Sequence, residues 1–423
     1  MLKLYRMKRR LLTQIRAEWR SNIWLAIELT IISVVLFYIV DFLWVRFTVI
    51  NEPLGFNVDH CYRVQFATLP SGSPEYIPDR TAEESNRDIL TILDRLGARP
   101  EVESVAMGTN AHFYNSSNSG ELLTVDTFNT GGAGMFLNRM VSPDFPKVFR
   151  IYGAHGESPE KLASLLENPL TFLISDDAFK PVYGIGSMRE FIGKDFSTYG
   201  GDTIRLVGTY SPVRYDDYVP RDYTRSMMRS MPKSEYYAFN ELVVRVHDNM
   251  DNDFAENLMK DADSQYRVGN YFISAVDSFK DIRFVHQRSN VMVTRFYFTG
   301  GAFLAMNIFL GLLGTFWFRT RRRIPEIAIR MVNGATRGDI LRRVVGEGEL
   351  ILLLVTPLAI VFDYQIVHLQ LNQPYENAYF DPARFAICVL LTLSFMALMI
   401  LAGVILPAVK AMRLQPAVAL KSE

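Results

Sequence analysis

Few residues of this chain stand in patterns that do chemistry, and each pattern lacks its companions. Ser158-Pro159-Glu160-Lys161 has the S-x-x-K spacing of some serine acyltransferases. The partner motifs of that chemistry are absent, and the segment lies in a polar stretch after Gly156. Phe191-Ile192-Gly193-Lys194 sets a glycine before a lysine, as a phosphate-cradling loop does. The earlier loop glycine is missing, however, and Asp195 stands where a Ser or Thr would bind magnesium. No G-x-S-x-G or H-E-x-x-H occurs. The two cysteines, Cys61 and Cys388, fall in different segments and build no disulfide framework, and the six histidines are scattered singly. The chain is therefore expected to be no enzyme, to hold no metal and to bind no ATP of its own.

Recognition is the chemistry that remains, and Arg319 to Ile340, RTRRRIPEIAIRMVNGATRGDI, carries most of it. Pro325 suits the first turn of a helix, where its missing N–H is not needed. Ile324, Ile327, Ala328 and Met331 then form one apolar stripe. Glu326 and Arg330 stand four apart on another side, in the favourable order for an ion pair. Gly334 follows as a helix stop. A short helix of this kind, apolar on one face and charged on another, docks into a partner's groove. A loop made basic only to set topology would carry the same charges.

The elements that must position this stretch are membrane spans. Crossing about 30 Å of hydrocarbon takes roughly 20 apolar residues. The runs 23–46, 295–318, 344–363 and 385–408 qualify as four spans. Glu28, Asp41, Glu347 and Glu349 stand near span ends, where snorkelling to the interface is the ordinary outcome. The first run is too long for a signal-peptide core and has no small-residue cleavage site. Basic residues crowd the segment before the first span, the 319–343 loop and the 409–423 tail, whereas the 364–384 loop has one arginine at its end. Both termini and the 319–343 loop are thus expected in the cytoplasm, and 47–294 outside. Residues 1–22 alternate Leu2, Leu4, Leu11, Leu12, Ile15 and Trp19 with basic residues, the pattern of an amphipathic helix on the anionic lipid surface. Formal net charge is zero, so nothing points to nucleic acid.

The outer segment reads as α+β. Cys61–Phe66, Thr81–Leu96 and Val102–Met107 form a strand, an amphipathic helix and a strand, and Leu242–Val246, Asp253–Tyr266 and Tyr271–Val276 repeat the unit. Two such units suggest a ferredoxin-like, porter-type domain split by an inserted subdomain at about 130–215. The expected fold class is a multi-pass α-helical membrane protein with four spans and this large extracytoplasmic domain.

Arg323 to Ile340 resembles the cytoplasmic signature of FtsX/MacB-type ABC transporter permeases, R-x-x-E-I-G-I-R-x-x-x-G-A-x-x-x-D-I. Arg323, Glu326, Ile327, Ile329, Arg330, Gly334, Ala335, Asp339 and Ile340 fall in place, with Ala328 at a usual glycine. The ending Pro407-Ala408, Ala411, Arg413-Leu414, Pro416, Ala419-Leu420 resembles the family's C-terminus. Val141-Ser142-Pro143-Asp144-Phe145, Val148-Phe149, Ile174-Ser175 and Ile192-Gly193-Lys194 are similar to the MacB-like periplasmic core domain. The resemblance implies a bacterial inner-membrane permease subunit whose partner, an ABC ATPase, binds ATP and magnesium. Arg323, Ile324, Glu326, Ile327, Ala328, Ile329, Arg330, Gly334 and Ala335 would be its coupling residues. Gly300, Gly301, Gly311 and Gly314 would allow close packing, within the subunit or in a homodimer or heterodimer with a second permease. A periplasmic adaptor and an outer-membrane channel are further implied partners of an efflux system. Within the family, signalling to a periplasmic enzyme and lipoprotein release are the alternatives to efflux, and a receptor without any ATPase is the alternative outside it.

Overall fold

The structure is a computed structural model and describes residues 19–130, 135–221, 224–322, 324–369, 371 and 381–412. Residues 1–18 of the expected 1–22 helix, 370 and 372–380 of the expected 364–384 loop, Arg323, and the tail beyond Met412 lie outside the described residues. In chain order, helix α1 (Trp19–Ile50) precedes strand β1 (Cys61–Thr68), helix α2 (Ala82–Gly97) and strand β2 (Val102–Thr109). Strands β3 (Leu123–Val125), β4 (Phe128–Asn129), β5 (Met135–Val141), β6 (Thr171–Ser175), β7 (Asp195–Thr198), β8 (Thr203–Tyr210) and β9 (Thr224–Ser230) follow. Then come β10 (Glu241–Val246), helix α3 (Phe254–Gln265) and β11 (Tyr271–Ser278). Helices α4 (Phe279–Arg322), α5 (Ile324–Val332), α6 (Arg337–His368) and α7 (Pro382–Met412) complete the chain. It divides into two units, one ending at Thr48 and resuming at Met292, the other Val49–Val291.

The second unit is α+β. Its strands form one sheet in the order β11-β1-β10-β2-β5-β9-β6-β8-β7-β3-β4. β1 runs antiparallel to both β10 and β11, and β10 antiparallel to β2. Alternation sorts the side chains. Tyr62, Val64, Leu242 and Val244 face a core with Ile89, Ile92 and Leu96 of α2 and Leu258 of α3. Cys61, Ala106 and Val243 face the opposite core, which is rich in aromatics such as Phe113, Phe145 and Phe149. α2 begins where the sequence supplies a cap: Thr81 Oγ1 accepts from the Glu84 amide at 3.2 Å, and Glu84 Oε2 accepts from the Thr81 amide at 2.9 Å. Burying Ile89, Ile92 and Leu96 holds that helix on the sheet by about 2 kcal/mol each.

Residues between β2 and β10 extend the same sheet with the seven strands β3 to β9. β9 pairs parallel with β5 and antiparallel with β6 and is buried on both faces. Its sequence, TRSMMRS, places Arg225, Ser226 and Ser230 in that interior. A central strand need not alternate, which is why this one escapes a period-two reading. At the join, Gly108 pairs with Val141 and Thr109 with Met140.

Among the described residues, four helices are long and apolar enough to cross a membrane: Ile23–Ile50, Phe279–Arg322, Arg337–His368 and Pro382–Ile405. The first three overrun the spans expected from the apolar runs, and the fourth begins three residues before its own. Leu29 and Leu36 of α1, Leu312 and Phe316 of α4, Ile351 and Val355 of α6, and Met396 and Ile400 of α7 share one apolar core.

Candidate coupling site

α5 starts at Ile324 with Pro325 in its first turn and ends at Val332. Its apolar stripe is turned into the bundle. Ile327 and Ala328 are buried, and half-buried Ile324 and Met331 pack on the core that holds Phe316, Ile340 and Ile351. Gly334 has φ +88°, the left-handed region that glycine enters without a side-chain penalty. There the Gly334 amide donates to Met331 and the Ala335 amide to Arg330, both at 3.0 Å, closing the helix. Two residues on, Thr336 caps α6: its Oγ1 accepts from the Asp339 amide at 3.2 Å, and Asp339 Oδ2 accepts from the Thr336 amide at 3.1 Å. Gly334, Asp339 and the intervening threonine thus build a turn and a cap.

Charges fasten the same corner. Glu326 Oε1 accepts from Arg330 Nε at 3.0 Å and Nη2 at 2.7 Å, and Arg343 Nη2 of α6 lies 3.7 Å away. Arg319 Nη2 of α4 donates to Glu347 Oε1 of α6 at 2.7 Å. Together with Thr320 these side chains line a cavity of about 30 Å³, room for one or two water molecules. Outward from the corner stand Pro325, Ile329 and Val332, the last two 52% and 67% exposed. Their spacing puts them on one face of α5. The stripe singled out in the sequence therefore seats the helix, and the free face is a different one.

Two carboxylates expected at span ends are instead buried and paired. Glu347 is buried against Arg319, and Asp41 is fully buried and takes a bidentate bond from Arg384, with Nε at 2.9 Å and Nη2 at 3.1 Å. A charge out of water requires such a partner. Glu28 accepts from Thr315 Oγ1 at 3.4 Å, and Glu349 is exposed. Asp363, the last residue of the expected 344–363 span, lies inside α6 and is buried.

The four glycines separate. A Cβ on Gly301 would fall 2.8 Å from Ile39 Cγ2, so this glycine permits close approach of α1 and α4. A Cβ on Gly300 or Gly314 would meet no atom within 4 Å, and one on Gly311 only Glu28 at 3.9 Å. Gly348, which sequence reasoning missed, is tighter: its Cβ would lie 2.7 Å from Ile400 and 3.0 Å from Phe316. Gly300 opens onto an apolar groove of about 490 Å³ lined by Tyr38, Ile39, Tyr297, Gly301 and Leu304.

The near-motifs of the α+β unit resolve as local structure. Ser158 Oγ accepts from the Lys161 amide as the cap of the short helix Pro159–Leu165. Lys194 Nζ bonds Asp126 at 2.8 Å beside Gly193, whose φ is +90°. Among the described residues no His, Cys, Asp and Glu group is arranged to hold a metal ion.

Residues 298–416 match the family model described as FtsX-like permease C-terminal. The match takes in most of α4 and all of α5, α6 and α7, and leaves out α1 and the α+β unit. No curated protein matches the chain.

Proposed function

We propose that this chain is the permease subunit of a MacB-like ABC system in a bacterial inner membrane, in which a separate ATPase moves the α+β domain to export a substrate. The observation that carries the reading is α5. It is seated by its apolar stripe and ion pairs, and it presents Pro325, Ile329 and Val332 outward within the segment similar to an FtsX-like permease. Such a face suits the groove of a partner subunit. Ile329 and Val332 would touch the ATPase, while Glu326 and Arg330 would set the angle of the helix. ATP and magnesium would be held by the partner alone.

Arg319, Arg321, Arg322, Arg337, Arg342 and Arg343 around α5 support a cytoplasmic position for this corner and for both termini, with the α+β domain in the periplasm. The strand order β11-β1-β10-β2, with α2 and α3 in the crossovers, supports a ferredoxin-like unit carrying an insertion. The groove at Gly300 supports a second permease copy, identical or homologous, against α1 and α4. An adaptor and an outer-membrane channel would complete the efflux form. Regulation of a periplasmic enzyme is the second reading, favoured by the apolar bundle core, which suits transmitted movement more than passage of a solute.

Affinity capture of the chain from its own membranes tests the contact. Ile329→Asp should abolish co-purification of the ATPase at unchanged chain abundance, and Glu326→Lys and Arg330→Glu, each alone, should weaken it. Full capture by all three variants would end the coupling assignment. A deletion strain that keeps its resistance and secretion profiles while periplasmic hydrolase activity falls would replace export by signalling.

A further inference from the structure

Within the α+β unit, one short loop holds both chain segments that lead to membrane helices. Arg214 is fully buried, and its side chain donates only to backbone carbonyls. Nη1 reaches Glu52 at 2.9 Å, Nη2 reaches Asp217 at 2.7 Å and Nε reaches Val219 at 3.0 Å. Its own amide donates to Leu54 at 2.9 Å. Glu52 and Leu54 lie just past the end of α1. At Gly55, φ +79°, a Cβ would run into the Pro212 carbonyl, so the connector is pressed directly on this loop.

The same loop grips the first turns of α4. Arg283 Nε and Nη2 each donate to the Asp217 carboxylate at 2.9 Å, and His286 Nε2 lies 3.3 Å from Asp216 Oδ2. The other Asp216 oxygen accepts from the amides of Tyr218 at 2.7 Å and Val219 at 2.9 Å, which keeps the loop in shape. Phe279, the first residue of α4, is fully buried against Phe149. Asp217 therefore belongs to both grips, with its carboxylate on α4 and its carbonyl on the arginine that holds the connector from α1. A fork of three N–H groups aimed at three carbonyls has no equivalent in lysine.

We propose that Arg214 and Asp217 are positioning residues that lock the connector from α1 to the start of α4, so that the two move as one body. The lock goes beyond the permease reading, and its test needs no ATPase, so the two stand or fall separately. Hydrogen exchange of the full chain in lipid nanodiscs reads it in two segments, 49–56 and 279–288. Asp217→Asn, which alters only the α4 grip directly, should speed exchange in both segments at least fivefold. Arg214→Lys should do the same from the other side. The pair Asp217→Arg with Arg283→Asp, which restores the ion pair in reverse, should return 49–56 to the wild-type rate. Exchange of β1 and β10 serves as the folding control, and Asp217→Asn remains decisive if Arg214→Lys unfolds. If each single variant loosens only the segment it touches, the connectors are independent and the lock does not exist.

Discussion

The adjacent glycines of α4 should respond in opposite ways to the same methyl group. Alanine favours a helix interior over glycine by about 1 kcal/mol. At Gly300 the new Cβ meets no atom within 4 Å, so Gly300→Ala should stabilise the bundle by about 0.5–1 kcal/mol. At Gly301 the same Cβ would sit 2.8 Å from Ile39 Cγ2, closer than carbon atoms approach. Overpacking of that kind costs about 1–3 kcal/mol, so Gly301→Ala should come out destabilised by about 0–2 kcal/mol after the helical gain. Gly301→Leu should lose more. Thermal unfolding of the full chain in nanodiscs, followed by circular dichroism at one protein concentration, ranks the three variants against wild type. If Gly301→Ala is as stable as Gly300→Ala, the close approach of α1 and α4 is wrong. A second readout concerns the proposed copy–copy contact. Gly300→Ile fills the open groove, so it should lower the dimer fraction without destabilising the monomer.

Three further outcomes are expected. Burial pushes the Cys61 thiol up to about 12, and a protonated thiol reacts poorly; a maleimide at pH 7.5 should spare it until the chain is denatured. Impermeant labelling of Gly156→Cys from outside, with Gly338→Cys protected, can thus be read with Cys61 in place. Burial alone would raise the Asp216 carboxyl, but the His286 ring and the amides of Tyr218 and Val219 outweigh it and hold the carboxyl below its ordinary range. Its stabilising share is then complete above the unfolded value of about 3.9 and lost as pH falls through the lower folded value. Acid unfolding of Asp216→Asn should accordingly depend less steeply on pH below about 4 than wild type; equal slopes would refute the assignment. Thr336→Ala removes the α6 cap and should cost about 1 kcal/mol, seen as faster exchange of the Ile340 amide with the rest of α6 unchanged.

What could be read from the sequence follows the range of the interactions. Long apolar runs mark the spans, and the i, i+3, i+4, i+7 pattern marks α2, because composition and short spacing decide both. β9 could not be found that way, since its burial depends on β5 and β6 and its interior residues include an arginine and serines. The pairs Asp41–Arg384 and Arg319–Glu347 join residues far apart in the chain, so their carboxylates looked like ordinary span-end charges. At the candidate site the apolar stripe of α5 was legible. Which face it left for a partner was not, because the stripe is satisfied by Phe316, Ile340 and Ile351 of the chain's own bundle. The small-residue pattern of α4 likewise could not distinguish Gly301, which needs its missing side chain, from Gly300, which does not.

The two connections leaving the α+β unit are mechanically unlike. α4 is a single helix of 44 residues, roughly 66 Å of unbroken hydrogen-bonded rod. α1 stops at Ile50, and irregular chain runs from there to β1. A rod carries compression and twist as well as tension, whereas irregular chain carries only what the loop around Arg214 holds in place. Twist applied at one end of α4 is therefore felt along its whole length, and paired glycines at Phe284 and Val285 would put a swivel in it.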